Sequence, residues 1–142
     1  MGIPTTQDMF LFQQLDLFYH LGTRHELPAH IEQNLAPHIE VREYQEHAFS
    51  NTLEYLSNDK LSKNRQTHLL YHMATGSGKT VMMAGLILHY YSLGYRNFLF
   101  FVNQTNIIEK TKANFLDSAS AKYLFAESIE IDGIRVPINE VS

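Results

Sequence analysis

Eight residues, Met73 to Thr80 (MATGSGKT), constrain this chain more than any other segment. Gly76 and Gly78 let the backbone enter the left-handed region that side chains resist. Curled in that way, successive N–H groups turn inward and add to the positive end of a helix starting at Lys79. The resulting concavity suits phosphate oxygens. Lys79 offers a compact cation to β and γ phosphates, and the Thr80 hydroxyl suits a Mg²⁺ ion bridging them. Thr75 and Ser77 complete the cradle, Ser77 by staying small and polar. The strict pattern has glycine where Met73 stands, but Met73 ends a predicted strand, where its work is packing. The plain alternative is a glycine-rich turn that binds nothing.

The flanks favour the cradle. His68 to Met73 reads as a short buried strand, and 79 to 93 as a helix apolar nearly all round, ended by Gly94. Phe98 to Val102 is a continuous apolar run of strand length, typical of a parallel strand covered on both faces. Strand, loop, helix and strand make one βαβ unit. Asn103 to Thr105 form a polar loop, and Ile107, Ile108, Thr111, Phe115 and Leu116 mark a second amphipathic helix. Further on, Asp132-Gly133 is a preferred hairpin turn, and its flanks agree in register: Ile131 opposite Ile134, Glu130 opposite Arg135, Ile129 opposite Val136. A hairpin is therefore expected at 128–138.

The first sixty residues follow a different pattern. Apolar side chains from Met9 to Leu21 recur at helical spacing, so a helix is expected over 6–21, capped by Thr5 or Thr6 and ending near Gly22. Pro28 and Pro37 bracket a short helix at about 28–36. A longer one follows at 42–56, and the polar run Ser57 to Gln66 reads as a loop. The chain thus divides into a helical amino-terminal extension, 1–60, and an α/β part, 61–142.

Composition narrows the possibilities. With 142 residues, 44% hydrophobic and 18% charged, the chain is one ordinary globular domain in size. A net charge of −4 announces no global field for nucleic acid, so any polyanion site must be local. The absence of cysteine removes disulfides, thiolate zinc sites and a cysteine nucleophile, and fits a cytoplasmic protein. Neither a signal peptide nor a membrane span is expected, because Gln13, Gln14 and Asp16 interrupt the first apolar stretch.

Outside the glycine-rich loop the residues speak less directly. Gln45, at the start of its helix, could offer one donor and one acceptor to an adenine edge, or could simply be a surface glutamine. Asn103 and Thr105 leave the carboxyl end of the second strand, where open α/β sheets bind ligands; they could hold a sugar-phosphate backbone or merely cap a helix. The histidines, among them His20, His25, His30, His68 and His72, follow no metal spacing. Phe10, Phe12, Phe18 and Tyr19 are expected in a core, and Lys110 and Lys112 on a solvated helix face.

Taken in order, Arg42, Tyr44 and Gln45 as an R-x-Y-Q element, MATGSGKT as motif I and FLFFVNQTNIIEKTKANF as a motif Ia-like stretch resemble superfamily 2 helicases and translocases of the DEAD/DEAH-box type. The likeness is greatest to the Res subunits of type III restriction enzymes, where Met in motif I is usual. It covers about residues 40–117. The resemblance implies a partial RecA-like P-loop NTPase lobe, a parallel sheet with flanking helices, behind a helical amino-terminal segment. It implies an ATP-driven motor on double-stranded DNA that works with a DNA methyltransferase subunit. Gln45 would contact adenine, Lys79 and Thr80 would hold phosphate and Mg²⁺ as the catalytic pair, and Asn103 and Thr105 would lie beside the DNA backbone.

No Asp-Glu-x-His or Asp-Glu-x-Asp follows motif Ia, so the carboxylates that complete the Mg²⁺ shell and orient water are missing. The reading is an amino-terminal portion of a larger DNA-dependent ATPase, with any endonuclease activity elsewhere and no hydrolysis expected of this chain alone. Three alternatives stand beside it: another superfamily 2 DNA helicase, a small P-loop kinase, and a non-catalytic nucleotide-binding fragment. A kinase should carry a basic lid, and Lys110, Lys112, Lys122 and Arg135 do not group into one.

Overall fold

The computed structural model describes residues 9–22, 24–63 and 65–140. Helices α1 (Leu11–His20), α2 (Ala29–Glu32), α3 (Glu43–Ser57), α4 (Asp59–Ser62), α5 (Lys79–Ser92) and α6 (Thr105–Phe115) precede a hairpin of β1 (Glu130–Ile131) and β2 (Ile134–Arg135). Two compact units share them: Met1–Leu27 with Val41–His72, and Pro28–Glu40 with Met73–Ser142.

In the first unit α1 packs on α3, burying Leu15, Phe49 and Tyr55. The two helices start alike. A glutamine three residues in reaches back to the N-cap amide: Gln13 Oε1 accepts from Phe10 N, and Gln45 Oε1 accepts from Arg42 N, each at 2.9 Å. This is the reciprocal half of a capping box, and it satisfies a donor that the helix leaves open. The expected cap at Thr5 or Thr6 and the stretch 6–8 lie outside the described residues; the helix begins later, at Leu11.

The chain leaving α1 lies along one face of α3. Arg24 reaches Glu46 at 3.3 Å, His25 N donates to Ser50 Oγ at 2.9 Å, and His25 Nε2 meets Glu54 Oε2 at 2.8 Å. Residues 46, 50 and 54 stack at four-residue spacing, so one strap touches three successive turns. Asn58 Nδ2 also donates to Glu54 Oε1, at 2.8 Å. Tyr71 joins the same helix, its hydroxyl 2.6 Å from Thr52 Oγ1, which itself donates to Ala48 O at 2.8 Å.

The second unit is organised around Asn34. Its Nδ2 donates to His30 O and Glu130 O, both at 2.8 Å, and its Oδ1 accepts from Glu130 N at 2.7 Å. One carboxamide thereby plays the part of a neighbouring strand toward β1. Backbone bonds extend the seam: Ala36 N to Leu124 O and Ala126 N to Asn34 O, each 2.9 Å. Around it Ile31, Leu35, Met82, Leu88, Phe125 and Ile129 form a buried core, with α2 against α5.

The hairpin has the expected register, Glu130 opposite Arg135 and Ile131 opposite Ile134, and Val136 N donates to Ile129 O at 2.9 Å. Asp132 and Gly133 both have positive φ, 54° and 74°, as a turn matched to strand twist requires. Helices α3, α5 and α6 also stand close to expectation, and Gly94 ends the α5 region at φ 102°. Ser57 to Gln66, expected as loop, instead contains α4, because the Asn58 side chain accepts from Lys60 N and starts a turn. Phe10 and Phe12, expected in a core, stack on each other at the surface, 72% and 68% exposed.

The two expected parallel strands, 68–73 and 98–102, pair with nothing among the described residues, where the only ladder is the hairpin. A strand exists only through a neighbour's N–H and C=O groups, and none lies alongside either segment. The second segment nevertheless has two apolar sides. Phe98, Leu99, Phe100 and Val102 line a 570 Å³ cavity with Leu88, Phe115 and Ile131, although most of Leu99 is exposed, and Phe101 is 90% exposed.

Two outcomes follow. Asn34→Ala removes three part-buried hydrogen bonds and leaves Glu130 N without its acceptor, so urea denaturation should register a loss of about 2–4 kcal/mol. In the first unit, burial by itself would raise the Glu54 carboxyl. Hydrogen bonds from Asn58 and His25, with the charge of His25, outweigh it and hold Glu54 below its ordinary 4.5. The stabilisation is complete above pH 4.5 and is lost as pH falls through the lowered native value. Glu54→Gln should flatten that part of a melting-temperature profile against pH.

Candidate nucleotide site

The loop ahead of α5 has the backbone its glycines allow. Gly76 and Gly78 sit at φ 79° and 80°, and Gly78 is the N-cap of α5. A Cβ at Gly76 would meet nothing within 4 Å, so its glycine answers to conformation and not to space. Inside the loop Ser77 Oγ donates to Ala74 O at 2.7 Å, and Ser77 N donates to the same carbonyl at 3.2 Å. The serine therefore staples the turn closed.

Lys79 is the first residue of α5, and its side chain folds back over the loop. Its Nζ donates to Met73 O at 2.9 Å and to Ala74 O at 2.8 Å. The ammonium is thus fixed beside the concavity by two carbonyls while remaining exposed to an incoming anion. The opening amides of a helix have no intrahelical acceptor, and the helix dipole adds positive potential at the same place. Thr80, next in this turn, is half-buried. Glycine cradle, helix start, anchored cation and hydroxyl suit a triphosphate with its divalent ion: the loop carries the amides, Lys79 the charge and Thr80 the oxygen ligand.

The remaining expected residues divide between the two units. Gln45 belongs to the first and is buried, its carbonyl oxygen engaged by Arg42 N. This cap was legible as a glutamine three residues past the helix start, and the alternative of a surface glutamine is excluded because Gln45 is 3% exposed. Arg42 turns its guanidinium to the Tyr44 hydroxyl at 3.1 Å. Asn103 and Thr105 belong to the second unit and are exposed where α6 begins. Neither caps that helix: Gln104 holds the N-cap position, with no side-chain bond to the first turn. On the same helix Lys112 pairs with Glu140 at 2.8 Å, and that carboxylate raises the lysine's pKa. Among the described residues no group of three or more His, Asp or Glu side chains could hold a metal ion, and no helix is long and apolar enough to cross a membrane.

Loop and helix together are those of a P-loop nucleotide-binding protein. The family model described as "Type III restriction enzyme, res subunit" matches residues 38–139, and the chain belongs to that family. It is 49% identical over 120 residues to a Haemophilus influenzae protein described as "Probable type III restriction-modification enzyme HindVIP Res subunit". The alignment takes in 81% of this chain and 23% of that relative, so the chain spans about a quarter of the relative's length. No solved structure matches it.

The loop geometry yields one expectation about stability. Gly76→Ala meets no neighbour but forces a side chain into the left-handed region, at a cost of about 1–2 kcal/mol. Thermal denaturation should show the loss, and Ser77→Ala, which opens the staple without strain, should show a smaller one.

Proposed function

We propose that this chain is the ATP-binding amino-terminal part of an ATP-dependent DNA translocase, the restriction subunit of a type III restriction-modification system. The observation that carries the reading is the left-handed glycine pair closed by Lys79, set inside a family match that runs from before Gln45 to beyond α6. Gln45 contacts the adenine. Its carboxamide has the donor and acceptor types that an adenine edge pairs with. The loop 75–78 cradles the phosphates, Lys79 neutralises the β and γ groups, and Thr80 holds Mg²⁺, which withdraws further charge from the same oxygens. Asn103 and Thr105, exposed at the start of α6, touch the DNA backbone without reading sequence.

In this reading 1–60 is an extension carrying the R-x-Y-Q element and 61–142 opens a RecA-like lobe. The apolar sides of 98–102 fit a parallel strand whose neighbours come from other parts of a longer protein. Water activation belongs to acidic residues outside this sequence. The relative's description as a restriction-modification subunit supports double-stranded DNA and a methyltransferase subunit as partners, and a cytoplasmic setting.

Calorimetry with Mg·ATP tests the proposal. The chain should bind, and Lys79→Ala should weaken binding roughly 10–100-fold, the value of one or two hydrogen bonds to a charged group. Equal affinity in parent and variant would overturn the nucleotide site. DNA-stimulated phosphate release is expected from a polypeptide as long as the relative and not from these residues alone; its absence from the longer protein would overturn the motor.

A further inference from the structure

His30 on α2 and His89 on α5 meet at 3.2 Å, Nε2 to Nδ1, with ring planes 15° apart and centroids 5.4 Å apart. Rings in face-to-face contact through these nitrogens would have closer centroids. Nearly coplanar rings this far apart meet edge to edge, along an N–H···N line. One proton lies in that line, and the neighbouring serine says whose it is. Ser92 Oγ donates to His89 O at 2.7 Å, so toward His30 Nε2, 3.4 Å away, it can only accept. His30 Nε2 therefore carries the hydrogen, and His89 Nδ1 receives it.

The assignment makes the two rings unequal toward a further proton. His30 can take one on Nδ1 and still donate through Nε2. His89 cannot: a hydrogen on its Nδ1 would face the hydrogen of His30. The contact is thus compatible with a neutral His89 alone, and it joins α2 to the last turns of the helix that Lys79 begins.

The geometry points to a proton-sensitive latch: the His30–His89 bond fastens α2 to α5 at neutral pH and is released in mild acid, when freed His89 takes up a proton. The surroundings agree. Burial lowers the pKa of His30, against a smaller upward pull from Asp132 in the hairpin turn. Burial lowers His89 too, and the charge on His30 lowers it further. Glu32 on α2, with Glu130 and Arg135 on the hairpin, are exposed, and their charges are screened by water. The Tyr90 ring lies 6.1 Å from His89, its plane tilted 59° to the imidazole. Because both native values lie below 6.5, the latch contributes its full stability above pH 6.5 and loses it as pH falls below that value toward the native ones.

The test compares the full chain with His89→Gln, whose amide oxygen can still accept from His30 but does not titrate. Between pH 7.5 and 5.5 the parent's melting temperature should fall roughly 3–6 °C further than the variant's. Parallel curves would overturn the latch and leave the pair a structural contact. If His89→Gln does not fold, His30→Gln keeps a donor to His89 Nδ1 and leaves His89 to titrate, so its melting temperature should still fall between pH 7.5 and 5.5; a flat curve would overturn the latch. Nitrogen NMR gives a second readout: at pH 6.5 His89 Nδ1 should resonate as an unprotonated nitrogen, and a protonated Nδ1 there would refute the proposal.

Discussion

The carboxamide of Asn34 holds the second unit in register. Its two polar atoms close three hydrogen bonds, to His30 O and to both backbone groups of Glu130. A two-stranded hairpin is marginal by itself. Here it gains, in place of a third strand, a side chain fixed on a buried turn. The same turn carries Leu35 and Ala36 into the core, where they meet Leu124 and Phe125. The segment 28–40 is thus bound to residues nearly a hundred positions away more closely than to its neighbours in sequence.

From that frame the nucleotide loop inherits a rigid base. Helix α5 presents Met82, Ala84 and Leu88 to the core, so its first turn is held while the loop before it stays at the surface. Only three features define the loop itself: two glycines with positive φ, a serine stapling Ala74 O, and a lysine braced by two carbonyls. Preorganisation of this kind lowers the ordering cost of binding a phosphate, because the loop is already closed by Ser77 and the Lys79 cation already lies over it.

What could be read in the sequence was what neighbouring residues decide among themselves. Asp132-Gly133 specifies its turn whatever surrounds it, and the alternation on each side then fixes the register. Gly94 and the apolar run from Val81 to Leu93 likewise bound α5 without outside help. The glycine-rich loop was legible for the same reason. Segments 68–73 and 98–102 have strand composition, but pairing depends on partners that composition does not supply. Asn34 with Glu130, and His30 with His89, left no mark in the sequence because 96 and 59 positions separate them. At Gln45 the residue type suits a base contact, a surface position or a helix cap alike, and the fold shows the cap, with Oε1 accepting from Arg42 N.

Leu99 and Phe101 bear on how the molecule behaves in a crowded solution. Their side chains are mostly exposed, on a run whose N–H and C=O groups face no neighbouring strand among the described residues. Such a run is a template for its own kind: two copies could lay it side by side, each supplying the ladder the other lacks. The isolated polypeptide should therefore meet a solubility ceiling that a surface change such as Phe101→Lys would lift. Inside a cell, the same ribbon would draw chaperones until a permanent neighbour covered it.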